Sequence, residues 1–198
     1  MSIWYGANVA DESELRLCGD LAGKRVIELG IAATPSSTMP NAVVLALAGA
    51  KAIALDPQAG AIADLRVAAD RHEVKVECHH GDLADLGFAT SGSVDLVVAS
   101  HTLGDVDDLP RLLRQVHRVL KPGSSFVVAS THPVAAMFGN DHTAHYAYGT
   151  TALTFSELYM AFERSNFRLD VIHELADRRV REPVAPAVLV VRARKQGN

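Results

Sequence analysis

The sequence predicts an α/β protein built on a doubly wound, mostly parallel seven-stranded sheet with one antiparallel strand at the C-terminus. Short apolar segments alternate with amphipathic segments along the chain, as strands and helices do in βα units. The last connection, residues 176–186, differs because it contains Pro183 and Pro186 and has no apolar stripe. It cannot supply the crossover helix that a parallel pair needs, so we expect the last two strands to be antiparallel neighbours.

Length, composition and charge indicate one globular domain. The chain has 198 residues, of which 48% are hydrophobic and 21% charged, and this excludes disorder as the main state. A net charge of −4 argues against a nucleic-acid binder with a broad basic face. The longest apolar stretch, residues 42–50, is about half of a membrane span, and the acidic N-terminal region does not resemble a signal peptide. We therefore expect a cytoplasmic monomer or homodimer with no membrane or nucleic-acid partner, and with Cys18 and Cys78 reduced.

The element boundaries follow from apolar periodicity and from start and stop residues. Pro57 suits the first turn of a helix, Thr154 and Glu157 form a capping box, and Lys121-Pro122-Gly123 ends the most periodic helix. The predicted strands are residues 25–29, 52–55, 74–78, 94–98, 125–129, 168–175 and 187–192. The predicted helices are residues 41–47, 57–71, 109–120 and 155–165.

Small, acidic and imidazole side chains follow the predicted strands. Gly30 follows the first strand, Asp56 the second, residues 79–82 the third, residues 100–102 the fourth and residues 131–133 the fifth. Ligands of open α/β sheets bind beyond these carboxyl ends, so we expect the functional site there. A carboxylate after the second strand can accept hydrogen bonds from two ribose hydroxyls and repels a 2′-phosphate. The first loop lacks the lysine that a triphosphate site requires.

Five short motifs, in order, resemble the class I S-adenosylmethionine-dependent methyltransferases of the small-molecule type. Glu28-Leu-Gly30 is similar to the start of the family's glycine loop, residues 49–56 to its second strand with the ribose acid, and Gly81-Asp82-Leu83 to its adenine motif. Residues 94–100 and 116–123 resemble its fourth strand and the approach to its fifth. The resemblance implies a single Rossmann-like domain. Its parts are an N-terminal arm (1–22), a cofactor-binding core (23–131), a substrate-side insertion (132–153) and a C-terminal helix with a β-hairpin (154–198).

The resemblance implies in-line methyl transfer from S-adenosylmethionine to a small-molecule acceptor, with S-adenosylhomocysteine as product. A base helps an oxygen or nitrogen acceptor lose its proton, and His101 is the first candidate and His132 the second because both follow strand ends. The implied cofactor contacts are Glu28, Gly30, Ala32, Asp56, Pro57, Gly81, Asp82, Leu83, Ser100 and His101. The implied substrate contacts are Tyr5, Met137, His142, His145 and Tyr146, whose other interpretation is that they cover an edge of the sheet. We expect no metal, because the insertion's histidines lack carboxylate support.

The glycine loop departs from the family pattern. Ala32 and Thr34 stand where the family has its second and third glycines, and the loop is longer and carries Pro35 and Pro40. Two functions therefore stay open: a methyltransferase, and a non-catalytic binding protein of the same fold whose pocket under Gly30 is filled. An NAD-linked oxidoreductase is disfavoured, because close approach of a pyrophosphate needs the missing glycines.

Overall fold

The computed structural model describes residues 2–139 and 143–197 as one sheet with helices on both faces. The strands are β1 (Arg25–Leu29), β2 (Lys51–Asp56), β3 (Val76–His80), β4 (Val94–Ser100), β5 (Leu120–Thr131), β6 (Phe167–Leu175) and β7 (Val188–Lys195). The helices are α1 (Glu12–Leu15), α2 (Asn41–Leu47), α3 (Ala59–Arg71), α4 (Leu109–Val119) and α5 (Phe155–Arg164), with 3-10 turns at Leu103–Asp105 and Ala135–Met137.

The sheet order is β3-β2-β1-β4-β5-β7-β6. Strands β1 to β5 pair in parallel, whereas β7 is antiparallel to both of its neighbours, β5 and β6. The predicted fold class is therefore confirmed, including the single antiparallel strand. The chain between β6 and β7 forms turns, as its two prolines predict.

Most elements lie where the sequence predicts them, with differences at the ends. Strand β3 begins and ends two residues later than predicted, and because of the later end His79 and His80 belong to the strand. Helix α3 begins at Ala59, and Pro57 lies just before it. The predicted capping box of α5 is present: the Thr154 hydroxyl accepts a hydrogen bond from the Glu157 N–H, and the Glu157 carboxylate accepts one from the Thr154 N–H.

Alternate residues of the central strands fill two apolar layers. Ile27 and Val97 face α4 and α5, whereas Val26 and Leu96 face α2 and the N-terminal arm. This two-sided burial explains why the central strands are almost continuously aliphatic. In the described ranges, no helix is long and apolar enough to cross a membrane.

Candidate cofactor and acceptor site

Asp56, the predicted ribose acid, lies at the carboxyl end of β2 but faces the loop that follows β1. Its Oδ2 accepts hydrogen bonds from the N–H groups of Ile31 and Ala32 at 2.5 and 2.9 Å, and its Oδ1 accepts one from the Gln58 N–H at 2.7 Å. Asp56 is 1% exposed. Since a carboxylate offers about four acceptor positions, backbone amides occupy most of the hydrogen-bonding capacity of Asp56 in this conformation, and two of these three amides belong to the loop after β1.

Thr102 covers Gly30 at the end of β1. Gly30 has a φ of +74°, and a methyl group added to it would lie 2.3 Å from the Thr102 side chain. The Thr102 hydroxyl donates to the carbonyl of Leu29 or Ser100, at 3.2 and 3.1 Å. Glycine is therefore required at position 30 both by its backbone conformation and by this contact. Thr102 was not predictable as a site residue, because only the pairing of β1 with β4 reveals its contact with Gly30.

Glu28 is fully buried in β1 and caps α2. Its Oε2 accepts a hydrogen bond from the Ala42 N–H at 2.6 Å, which compensates for Pro40, a residue that offers no side-chain cap. The Oε1 atom of Glu28 is buried and has no hydrogen-bond partner among the described residues. Burial raises the pKa of Glu28 to about 8, opposed by the amides of Ala42 and Asn41 and assisted by the charge of Asp56. The carboxyl group is therefore largely protonated at neutral pH.

The residues of the predicted adenine motif differ in exposure. The Gly81 N–H donates to the Asp56 carbonyl at 3.1 Å, which fixes the end of β3 against β2. Asp82 is exposed and its Oδ2 lies 3.3 Å from the Arg111 guanidinium, whereas Leu83 is buried in the core. The Pro57 carbonyl accepts a hydrogen bond from His80 Nε2 at 3.0 Å. Of these residues, Asp82 presents a carboxylate to solvent beside the site.

The N-terminal arm crosses the end of β4 and is held there by polar side chains. Asn41 is fully buried; its Oδ1 accepts from the Trp4 N–H at 2.7 Å and its Nδ2 donates to the Trp4 carbonyl at 3.1 Å. The Ser100 hydroxyl donates to the same carbonyl at 3.0 Å. Ser100, predicted to contact the cofactor, is thus a buried support for the arm. Asn41 was not predictable as a support of the arm, because it stands at the start of an apolar helix without a recognisable motif.

His101 lies between the arm and a cavity, and its neighbours fix its tautomer. Its Nε2 is 2.9 Å from the Tyr5 carbonyl, which can only accept, so Nε2 carries the proton and Nδ1 keeps a lone pair in the neutral ring. Burial lowers the pKa of His101, against the opposing effect of the bond to Tyr5. The backbone φ of +57° is unusual for a side-chain-bearing residue and turns the chain sharply after β4.

His132, predicted as a second base, is held by structural contacts on both sides of its ring, and its role as a base stays a prediction. It is buried, its Nε2 is 2.8 Å from Glu174 Oε1, and its Nδ1 accepts a hydrogen bond from the Val134 N–H at 3.2 Å. Both ring nitrogens are therefore engaged, and the ring joins the end of β5 to β6. No lone pair is left for a substrate in this arrangement.

Tyr5, a predicted substrate contact, is likewise held by structural contacts. Its ring is completely buried in the core beneath the arm, and its hydroxyl donates to Glu12 Oε2 at 2.7 Å and lies 3.4 Å from Cys18 Sγ. Its neighbour Trp4 is half-buried and lies 5.3 Å from His101, ring centroid to ring centroid. Only the backbone carbonyl of Tyr5 reaches the site.

Met137, His145 and Tyr146, predicted to bind substrate, line neither of the two described cavities. The Met137 carbonyl accepts hydrogen bonds from the N–H groups of His145 and Tyr146, which closes a surface turn. Tyr146 is 54% exposed, His145 is exposed and Met137 is half-buried. His142 lies outside the described residues. Residues 151–153, which belong to the same predicted insertion (132–153), do line a cavity.

Two cavities flank the carboxyl ends of the strands. The smaller, about 200 Å³, lies beside His101 between the ends of β4 and β5 and the start of α5. The larger, about 750 Å³, lies between residues 31–40 and α3, and of the predicted cofactor residues only Ala32 lines it. The smaller cavity is lined by His101, Leu103, Gly104, Ser130, Thr131, Thr151, Ala152, Leu153 and Leu158.

The carboxyl groups at this sheet edge fit the cofactor that the resemblance implies, but the site is closed. Asp56 stands at the position of a ribose acid, Asp82 offers an exposed carboxylate, and Glu28 Oε1 is a buried polar atom that has no hydrogen-bond partner among the described residues. Binding requires the loop to release Asp56 and requires space over Gly30, which Thr102 now covers. Among residues 2–139 and 143–197, no group of three or more His, Cys, Asp or Glu side chains is arranged to hold a metal.

Comparisons with known proteins agree with this geometry. A family model described as "Methyltransferase domain" matches residues 37–128. A probable S-adenosylmethionine-dependent methyltransferase of Mycolicibacterium smegmatis is 28% identical over 155 residues, which cover 78% of this chain and 56% of that protein. The chain thus spans about half the length of this curated relative. The mitochondrial arginine-hydroxylase NDUFAF5 of Mus musculus is 53% identical over 61 residues, 30% of this chain and 16% of that protein.

A solved structure extends the likeness to nearly the whole fold. An S-adenosylmethionine-dependent methyltransferase from Mesorhizobium loti superposes with a TM-score of 0.75 at 22% identity, covering 91% of this chain and 95% of that one. The family-model match begins in the long loop after β1 and ends in β5, a region that includes Asp56, Asp82 and His101. Together with the seven-stranded sheet order, these comparisons show that the chain has the fold of S-adenosylmethionine-dependent methyltransferases and that residues 37–128 match the methyltransferase-domain model.

Proposed function

We propose that the chain is an S-adenosylmethionine-dependent methyltransferase that acts on a small-molecule acceptor. The observation that carries this proposal is the position of His101, a neutral imidazole with a defined tautomer, on the wall of a cavity at the end of β4. Asp56 and Gly30 lie at the ends of the neighbouring strands β2 and β1. The residues that we propose as base and as nucleoside-binding acid thus lie on adjacent parts of one sheet edge.

Asp56 and Asp82 are the residues we propose to hold the cofactor. When bound, S-adenosylmethionine supplies a methyl group activated by a sulfonium. The Asp56 carboxylate, released from the loop amides, would accept hydrogen bonds from the ribose hydroxyls, as acids at this strand end do in nucleoside-binding sheets. The exposed Asp82 carboxylate would accept from the adenine amine. Holding methyl and acceptor in line then supplies much of the rate acceleration.

His101 is the group we propose to take the acceptor's proton. Its Nε2–H is committed to the Tyr5 carbonyl, so Nδ1 is the basic atom. Its lowered pKa keeps the ring neutral at physiological pH, which a general base requires. Trp4 lies beside the ring, and the bonds from Asn41 and Ser100 to the Trp4 backbone hold this wall in place.

A second candidate is a non-catalytic binding protein of the same fold. Two observations favour it: Thr102 fills the space over Gly30, and Asp56 accepts three backbone hydrogen bonds. If this arrangement were permanent, the cofactor could not reach either residue. One relative of this chain is named a hydroxylase, which agrees with the principle that this fold supports more than one function.

Calorimetric titration with S-adenosylhomocysteine and S-adenosylmethionine separates the two candidates. The methyltransferase predicts micromolar binding, roughly −8 kcal/mol, that is lost in Asp56→Ala and weakened in Asp82→Ala. Asp64→Ala is a matched control, since Asp64 lies on α3 in the wall of the larger cavity. No heat of binding to well-folded wild-type protein would reject the methyltransferase. Binding that survives Asp56→Ala would reject the proposed position of the ribose.

A further inference from the structure

The cavity beside His101 is bounded by the ends of two strands and by the start of α5. His101 follows β4, Ser130 and Thr131 end β5, and Leu158 lies in the second turn of α5. Residues 151–153 close the remaining side. Because His101 is on the wall, a molecule in this cavity lies within reach of the proposed base.

The lining carries no formal charge that could pair with an anion. None of the nine described lining residues is Lys, Arg, Asp or Glu, and burial lowers the pKa of His101 so that its ring is neutral at physiological pH. Residues 140–142, outside the described ranges, are Asn, Asp and His and so add no Lys or Arg. A carboxylate or phosphate placed here would lose its hydration without gaining a cationic partner.

The size and the polarity of the cavity further restrict the kind of molecule that can bind in it. Its volume is about 200 Å³, and an engineered apolar cavity of about 150 Å³ binds benzene. A single six-membered ring with small substituents therefore fits. Leu103, Leu153 and Leu158 supply an apolar wall, and Ser130 and Thr131 bring hydroxyls to the β5 side. This mixture suits a ring that carries one or two hydroxyl groups.

We infer that this cavity binds an uncharged, monocyclic acceptor bearing a hydroxyl group, and that it rejects acceptors bearing a carboxylate or a phosphate. The inference rests on the proposed function, because it names the chemical class of the methyl acceptor. In the reaction, the acceptor oxygen forms its bond to the methyl carbon as the carbon–sulfur bond breaks and the electron pair returns to sulfur. The hydroxyl proton passes to His101 Nδ1, so that charge and atoms balance.

Matched phenols test the inference by NMR on the full chain saturated with S-adenosylhomocysteine. The pairs are phenol with 4-hydroxybenzoate, and catechol with 3,4-dihydroxybenzoate. We expect the uncharged member of each pair to bind at least about tenfold more tightly, since the carboxylate would be left unpaired. Shifts should centre on Gly104, Leu153 and Leu158.

A second experiment places a positive charge in the cavity wall. Leu153→Lys should bring the affinity for the carboxylate member up to or above that for the neutral one, whereas Leu47→Lys, on an exposed position of α2, should leave the preference unchanged. Melting curves of both variants verify folding. Equal or tighter binding of the carboxylates to wild-type protein would overturn the inference, as would the absence of shifts at the cavity residues for all four phenols.

The calorimetric titration keeps the two proposals distinguishable. If S-adenosylhomocysteine does not bind, the proposed methyltransferase fails, and the phenols are then titrated into the protein alone to test the cavity. If it binds and the carboxylates are not excluded, only the acceptor class fails.

Discussion

At the scale of single residues, the site depends on groups whose protonation is set by their surroundings. His101 is the clearest case. Burial and the bond to the Tyr5 carbonyl fix a neutral ring with the proton on Nε2. We predict that nitrogen-detected NMR will show this tautomer and a pKa below the ordinary 6.5. A ring protonated on Nδ1, or one that titrates above 6.5, would contradict the proposed role of Nδ1.

The same pKa has a consequence for stability. A histidine whose pKa is depressed on folding binds its proton more readily in the unfolded chain. Its contribution to stability is therefore complete above the unfolded value and is lost as the pH falls below about 6.5. His101→Gln removes this contribution, so the variant should lose less stability than wild type between pH 7 and pH 5 in urea unfolding.

Glu28 has the opposite dependence. Its pKa is raised from 4.5 to about 8 by burial, so the folded chain binds a proton that the unfolded chain releases between these values. Stability should therefore fall as the pH rises from 5 to 8, and Glu28→Gln should reduce this fall. Glu163→Gln, on an exposed position of α5, is the matched control. Parallel unfolding curves for wild type and Glu28→Gln would show that Glu28 is ionised in the folded protein.

The residues show where prediction from sequence succeeds and where it stops. Asp56 and His101 were correctly predicted to lie at strand ends, because aliphatic runs in the sequence indicate where the strands end. The contacts of Tyr5 and His132 were not predictable, because the sequence does not reveal that the Tyr5 hydroxyl meets Glu12 or that the His132 imidazole meets Glu174. Thr102 was missed for the same reason, since its partner Gly30 is remote in the chain.

At the scale of elements, local signals predicted the helices well. The capping box of α5 is the most specific of these signals, and both of its reciprocal bonds form. Thr154→Ala should lower the free energy of unfolding by about 1 kcal/mol, measured by urea denaturation. Thr90→Ala, at another exposed threonine, should change it by less than about 0.5 kcal/mol. Equal effects of the two substitutions would mean that the cap does not stabilise α5.

The loop after β1 is the element that the sequence predicted least. Ala32 and Thr34 show in the sequence that the loop departs from the family pattern. They do not show the consequence, which is that the loop closes onto Asp56. The longer loop delays the start of α2 until Asn41, and a groove of about 750 Å³ lies between the loop and α3. Hydrogen bonds to a carboxylate from backbone amides need no particular side chain in the loop, so no sequence motif marks them.

At the scale of the whole molecule, the N-terminal arm joins the cofactor and acceptor sides. Asn41 holds Trp4, the only tryptophan of the chain, and the arm in turn holds His101. Asn41→Ala should release the arm, and the Trp4 fluorescence should shift to the red and become more accessible to iodide. Gln196→Ala, an exposed amide near the C-terminus, serves as the control. Unchanged fluorescence in Asn41→Ala would show that the arm is held by other contacts.

The overall architecture followed from the alternation of strands and helices and from the composition of the last connection. The sequence could not show how the arm, the loop and the two central strand ends meet, because these contacts join residues far apart in the chain. Ser100 illustrates the limit: its position at the end of β4 was predictable, whereas its bond to the Trp4 carbonyl was not.

The most direct test of the account is the NMR signal of the Ile31 and Ala32 amides during titration with S-adenosylhomocysteine. These two N–H groups donate to Asp56 in the closed site. If the ligand's ribose takes their place, both amide protons should shift upfield and exchange faster with solvent as the site fills, while the Gly92 amide, which donates to the Arg118 carbonyl, stays unchanged. Saturable binding that leaves the Ile31 and Ala32 signals unmoved would contradict the proposed cofactor site.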